Sequence, residues 1–192
     1  MLEVQSIFSA FGLSASAGLN AYIPLLMVAV VARLQPDLIR LSEPFDLLTT
    51  WWAIAILVVL VLIEVLADKV PLIDHANDVI GTFVRPASGA ILFAASTGAV
   101  EAMDPKLALV AGFFVAGATH AAKATARPLV TASTGGMGNP VVSTVEDVTA
   151  FFTSLFAILA PIILGFALIA FALLVVWWIT RRQASRGKAL GT

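Results

Sequence analysis

The densest chemistry in this chain lies between Glu64 and Ala90, where Glu64, Asp68, Lys69, Asp74, His75, Asp78 and Arg85 sit between two long apolar stretches. Ionisable groups at membrane depth are costly unless they pair or meet water, so such residues are functional candidates by default. Carboxylates one helical turn apart, as Glu64 with Asp68 and Asp74 with Asp78, can share a cation, and a crowded pair can hold a proton near neutral pH. The chemistry to expect is cation or proton binding at the mouth of a cavity. On a helix, Asp74, Asp78 and Arg85 recur at offsets of four and seven and share one face. The bland alternative is an interfacial loop whose acids pair with Lys69 and Arg85.

A second, basic stripe follows: His120, Lys123 and Arg127 fall at helical offsets together with Thr119. It would line a site for an anionic solute or lipid headgroup, or pair with the acidic stripe across a central cleft. Alternatively, Lys123 and Arg127 reach the interface while His120 bonds between helices. The third stretch is Gly-rich, from Thr131 to Pro140, with Ser133 and Asn139 as candidate lining groups. It reads either as a close-packed turn or as a re-entrant loop beside a substrate path. It lacks the spaced lysine of a phosphate loop. The spacing of Ser143 to Glu146 fits a capping box, with Asp147 in the same first turn, so a helix is expected from Ser143 and an anion at its start would meet like charge.

The elements that must position these residues are membrane helices. Of the 192 residues 60% are hydrophobic and 12% charged, and the mean hydropathy is +1.00, far from the balance of soluble domains. The fold expected is an all-α integral membrane bundle forming one domain over 1–180, with a basic cytoplasmic tail over 181–192. A net charge of −1 gives no case for nucleic acid, and the absence of cysteine excludes disulfides, thiolate metal sites and cysteine nucleophiles. The start of the chain carries Glu3 and no basic residue, unlike the basic n-region of a signal peptide, so it is expected to stay in the mature fold.

Ile7 to Arg33 is interrupted by Gly12, Gly18, Asn20 and Pro24; it is either one kinked span or a re-entrant piece leading into a helix from Asn20. Thr49 to Leu66 is the cleanest span, opened by Trp51 and Trp52 at one interface. The acidic helix is expected to break at Arg85-Pro86, because proline cannot donate its backbone hydrogen bond and restricts the residue before it. Leu107 to Ala126, rich in Gly and Ala, is expected at the bundle's centre. From Ser143 to Ile179 the chain would make roughly 55 Å of helix, more than one crossing needs, so Pro161 kinks or divides it. Five or six spans result, with broken or re-entrant segments; six is favoured because two three-span halves would form an inverted repeat. Two internal alignments for that repeat disagree. Arg181, Arg182, Arg186 and Lys188 place the tail inside by the positive-inside rule under either count.

The motifs Glu64-Val-Leu-Ala-Asp-Lys-Val-Pro71 with Asp74, His75 and Asp78, Arg85-Pro86-Ala-Ser-Gly89, His120-Ala-Ala-Lys123 with Arg127, Thr134-Gly-Gly136 with Asn139-Pro140, and Ser143 with Glu146-Asp147 together resemble the bacterial membrane family catalogued as domain of unknown function 4126, from about Gly12 to about Pro161. Asn20 stands where that family is associated with a basic residue. The resemblance implies a multi-pass bundle of the bacterial inner membrane and supplies neither substrate nor reaction.

The expected substrate- or ion-binding set is Glu64, Asp68, Asp74, Asp78, Arg85, His120, Lys123, Arg127, Ser133, Asn139 and Glu146. No cofactor, metal site or catalytic residue is expected: His75 and His120 have no ligand spacing, and no nucleophile elbow frames Ser133. The leading function is a transporter or flippase of a small polar solute or anionic lipid, with membrane lipid, a solute or headgroup, and a second copy of the chain as candidate partners. The alternative is a scaffold or accessory subunit with closed, internally paired charges and an exposed small-residue face; an intramembrane enzyme is the weakest class.

Overall fold

In the computed structural model the described chain covers residues 2–41, 43–69, 71–97 and 103–189, with side chains described outside 2, 71–76, 97, 179 and 182–189. Asp74, His75 and the tail residues Arg182, Arg186 and Lys188 therefore lie outside the described side chains.

All regular structure among the described residues is helical: α1 Leu2–Leu19, α2 Tyr22–Leu34, α3 Trp51–Ala67, α4 Pro71–Thr97, α5 Pro105–Thr134, α6 Asn139–Leu159 and α7 Pro161–Ala189, with a short 3-10 turn at Phe45–Thr49. Long apolar windows explain this, since in lipid only a helix satisfies every backbone group within one segment. Among the described residues four windows are long and apolar enough to cross a membrane: Asn77–Ser96, Pro105–Thr134, Asn139–Leu159 and Pro161–Trp178, while Tyr22–Leu34 and Trp51–Ala67 are shorter apolar helices. This is the architecture of an all-α membrane protein.

The first interruption is sharp. Asn20 ends α1, and its Oδ1 accepts from the backbone N–H groups of Tyr22 and Ile23 at 3.1 and 3.0 Å, which starts α2. Ser6 and Ser9 of α1 line the same cavity as Leu38 and Ile39 beyond α2, together with Ser96 and Leu159. The chain therefore folds back at Asn20, and the two helices form a hairpin. One end of the bundle gathers the start of α1 and the ends of α2, α4 and α6; the other gathers Asn20, the end of α3 and the ionisable residues.

The helix at the centre is α1, rather than α5 as the Gly and Ala content of the latter led us to expect. Ala10, Leu13, Ser14, Ser16, Ala17 and Asn20 are all buried, with Gly12 and Gly18 between them. Ser14 Oγ donates to the Gly89 carbonyl at 2.8 Å, and Ser16 Oγ to the Ala150 carbonyl at 2.7 Å, so small hydroxyl residues tie α1 to α4 and α6. The small residues of α5 serve one face only: a side chain on Gly112 would collide with the Gly89 carbonyl and Phe93, while Val110, Phe113 and Phe114 on its other side are exposed.

One expected break is absent. Helix α4 runs unbroken through Pro86, whose ring faces Gly117 of α5, so tertiary packing offsets the lost hydrogen bond. Of the two forms open for Thr131–Pro140, the turn is the one present: α5 continues to Thr134, left-handed Gly135 and Gly136 turn the chain, and α6 starts at Asn139. Ser143 lies inside α6 and caps nothing; its hydroxyl is fully buried with no hydrogen-bond partner among the described residues. The break at Pro161 is present, with Ala160 between α6 and α7. Helix α7 packs on α1 where Gly165 meets Phe8 and Leu164 meets Gly12, and from Ile169 to Trp178 its described side chains are exposed.

Candidate functional site

The ionisable residues of α3, α4, α5 and α6 converge on the turn of the α1–α2 hairpin. Arg85, fully buried in mid-helix, is the hub on α4. Its Nε donates to Glu64 Oε1 at 3.2 Å, Nη2 lies 3.2 Å from the same oxygen and 3.7 Å from Asp68 Oδ2, and Nη1 reaches Asp78 Oδ1 at 3.2 Å. The last contact is the i, i+7 pairing that a helix face provides.

The basic stripe of α5 turns inward to meet these acids. Lys123 Nζ lies 3.4 Å from Asp68 Oδ2 and 3.0 Å from Glu146 Oε2. Arg127 bridges three carboxylates, with Nη2 at 3.1 Å from Asp68 Oδ2 and 2.7 Å from Glu146 Oε2, and Nη1 at 3.3 Å from Asp78 Oδ2. Both cations are buried; a guanidinium fork and an ammonium shared between acids make burial tolerable. Asn77 on α4 donates to Asp68 as well.

The same charges close the helix break. Lys123 Nζ donates to the Leu19 carbonyl at 3.0 Å, while Glu64 Oε2 accepts from the Ala21 N–H at 3.0 Å. A cation thus faces the C-terminal end of α1 and an anion the N-terminal end of α2, each the sign that the helix dipole favours. Asn20 Nδ2 donates to Asp147 Oδ1 at 2.9 Å, and Asp147 in turn pairs with Lys69 at 3.3 Å.

Beside this network lies a cavity of about 490 Å³ between α4, α5 and the start of α6. Its polar wall is Asp78, Thr82, His120, Arg127, Thr131 and Asn139, and its apolar wall Val79, Ala124, Pro128 and Ala132. His120 Nδ1 is 3.0 Å from Arg85 Nη1, and Nε2 is 3.2 Å from Thr82 Oγ1. Thr131 Oγ1 lies 3.0 Å from Asn139 Oδ1. The wall thus combines an ion pair, hydroxyls and an amide with an apolar floor, the composition of a small-molecule site.

A family model matches residues 7–181. The chain belongs to the family described as domain of unknown function, DUF4126. The match runs beyond both limits of the motifs that carry the resemblance. No curated protein and no solved structure matches the chain.

Of the residues singled out in this DUF4126 sequence, the fold brings together Glu64, Asp68, Asp78, Arg85, His120, Lys123, Arg127 and Glu146 as one network, with Asn139 on the cavity wall. Ser133 stands apart: it is exposed, and its hydroxyl donates to the Val130 carbonyl of its own helix at 3.0 Å. Asn20, Lys69, Thr82 and Asp147 belong to the site without having been in the expected set. Asn20 carried a signal, a polar residue interrupting an apolar segment; Asp147 was masked by its expected role at a helix start.

Proposed function

We propose that this DUF4126 protein is a membrane carrier for a small polar solute or lipid headgroup, with the cavity between α4, α5 and α6 as its binding site. The observation that carries this is that Asp78 and Arg127 belong both to the cavity wall and to the buried ion-pair network. A solute that contacts either residue competes with an ion pair, so its binding is coupled to the pairing of the whole set. Each of the three network cations already serves two or three carboxylates. Partners can be exchanged stepwise, and no buried charge is left bare during the exchange. The hairpin turn at Asn20 feeds into the same network, as broken helices do at transporter sites.

The topology we read with this function has five crossings, α3 to α7. The 13 residues of α2 make about 20 Å of helix against about 30 Å of hydrocarbon, so the α1–α2 hairpin enters from one face and returns to it. Arg33, Arg40 and Lys106 then lie outside, and Lys69 and the basic tail lie on the cytoplasmic side of the inner membrane.

The experiment uses the chain's lack of cysteine. Single cysteines at Thr82, Thr131 and Ala132 on the cavity, with Ser14 and Ser16 on the buried face of α1 as comparison, are challenged with a membrane-impermeant maleimide from each side. Labelling at the cavity positions from either side, and none at Ser14 or Ser16, is the expected pattern. Uniform protection of all five in folded protein would remove the carrier reading. It would leave the second reading, a scaffold or accessory subunit, which is favoured by the near-complete burial of Arg85 and Lys123 among acids.

A further inference from the structure

The charge of the solute can be argued from the same site, on the carrier reading given above. Among the described side chains the network joins four carboxylates, Glu64, Asp68, Asp78 and Glu146, to three cations, Arg85, Lys123 and Arg127. Lys69 and Asp147 pair with each other and cancel. His120 adds no charge in this arrangement. An arginine nitrogen only donates, so the His120 Nδ1 that lies 3.0 Å from Arg85 Nη1 must accept, and the ring hydrogen sits on Nε2 towards Thr82. Among the described side chains the set carries one net negative charge. Buried between helices an unbalanced charge is strongly disfavoured, and a monovalent cation or a proton is what balances it.

Exposure points the same way. The Asp78 side chain is 24% exposed, whereas those of Arg85, Lys123 and Arg127 are 0%, 1% and 7%. A solute entering the cavity meets a carboxylate first. An anion would be repelled there and would have to strip carboxylates from cations already engaged; a cation finds carboxylate lone pairs at the wall. The cavity, about 490 Å³, falls in the range of roughly 300 to 1,000 Å³ that holds small organic molecules, and Val79, Ala124 and Pro128 give it an apolar floor.

We propose that the solute is a small monovalent organic cation, bound against Asp78 and exchanged one for one with a proton that the carboxylate network holds when the cavity is empty. In the exchange one carboxyl O–H bond breaks, the proton leaves to water on the side from which the cation entered, and the cation takes up the freed negative charge. On the opposite side the steps reverse, and no net charge crosses. The proton belongs to a coupled set rather than to one residue. Asp78 faces Arg85 on its own helix and Arg127 on α5; His120 stands beside Arg85, and Glu64 and Asp68 of α3, Lys123 of α5 and Glu146 of α6 join the set through these cations and Asp68.

The test is made in vesicles of the reconstituted full chain with a pH dye inside. Tetramethylammonium or guanidinium chloride is added outside, with sodium methanesulfonate, read against sodium chloride, as the anionic probe. Tetramethylammonium has no proton to give and guanidinium keeps its own at neutral pH, so neither carries protons across by itself. The proposal expects internal alkalinisation on adding either cation, unaltered when the membrane potential is clamped. The response should fall at least about tenfold in Asp78→Asn, the loss expected for one charge-assisted contact, and recover in part in Asp78→Glu. A response to methanesulfonate and none to the cations would overturn the sign of the solute and leave the carrier reading standing. Silence towards all three probes would overturn the cation proposal, and protection of the cavity cysteines from maleimide would overturn the carrier reading with it. Should Asp78→Asn fail to fold, the comparison of cations with methanesulfonate on the unmodified protein still decides.

Discussion

Lys123 on α5 reaches the Leu19 carbonyl at 3.0 Å, so a cation from a helix a hundred residues later closes the chain end exposed where α1 stops. The same ammonium serves Asp68 and Glu146. Replacing it by the isosteric, uncharged methionine leaves buried Asp68, half-buried Glu146 and one carbonyl short of a partner. Lys123→Met should cost about 3 to 5 kcal/mol, read as a lowered midpoint of unfolding in detergent. A midpoint within error of the unmodified protein would show that the ammonium is not needed at the break.

Arg127 is a fork whose two nitrogens address different acids, Asp78 through Nη1 and Asp68 with Glu146 through Nη2. A lysine there keeps the charge and loses the planar geometry. Arg127→Lys is expected to destabilise by roughly 1 to 3 kcal/mol, the worth of a charged hydrogen bond, and to slow any solute exchange. Equal stability and equal exchange would mean that charge alone suffices at this position.

The tautomer of His120 is fixed by its neighbours. With Arg85 donating to Nδ1, the hydrogen resides on Nε2, and ¹⁵N NMR of a histidine-labelled sample should show Nδ1 as the unprotonated nitrogen. Thr82→Val removes only the contact on the Nε2 side, so it should leave that assignment unchanged. A hydrogen found on Nδ1 would refute the Arg85 contact.

Close approach of α4 and α5 depends on selected glycines. A Cβ at Gly112 meets the Gly89 carbonyl and Phe93, whereas one at Gly117 only touches the Pro86 ring. Gly112→Ala should destabilise by about 1 to 3 kcal/mol through overpacking. Gly117→Ala should be neutral or slightly stabilising, because alanine is the better helix former. Thermal unfolding of the two variants side by side checks the contrast.

Helical periodicity made part of the site legible. Offsets of three, four and seven placed His120, Lys123 and Arg127 on one face and Asp78 with Arg85 on another, and both faces do turn towards the network. Periodicity says nothing about which acid a given cation meets, because Glu64, Asp68 and Glu146 arrive on other helices. Local rules misled where packing or self-satisfaction intervened. Pro86 reads as a break, yet α4 passes through it beside Gly117. Thr131 to Pro140 reads as a turn or re-entrant loop, and the turn occupies only its middle: the hydroxyls of Thr131, Ser133 and Thr134 bond back to the carbonyls of Arg127 and Val130 within the continuing helix. Ser14, Ser16 and Ala17, in the small-residue part of α1, are buried where that helix docks.

The placement of α1 also bears on how the bundle closes. Asn20 supplies two of the bonds at its own turn, but the other polar groups of α1 find partners far along the chain: Ser14 with Gly89, Leu19 with Lys123, Asn20 with Asp147 and Ser16 with Ala150. The bonding of α1 is complete only when α4, α5 and α6 stand around it, which makes it the keystone of the bundle.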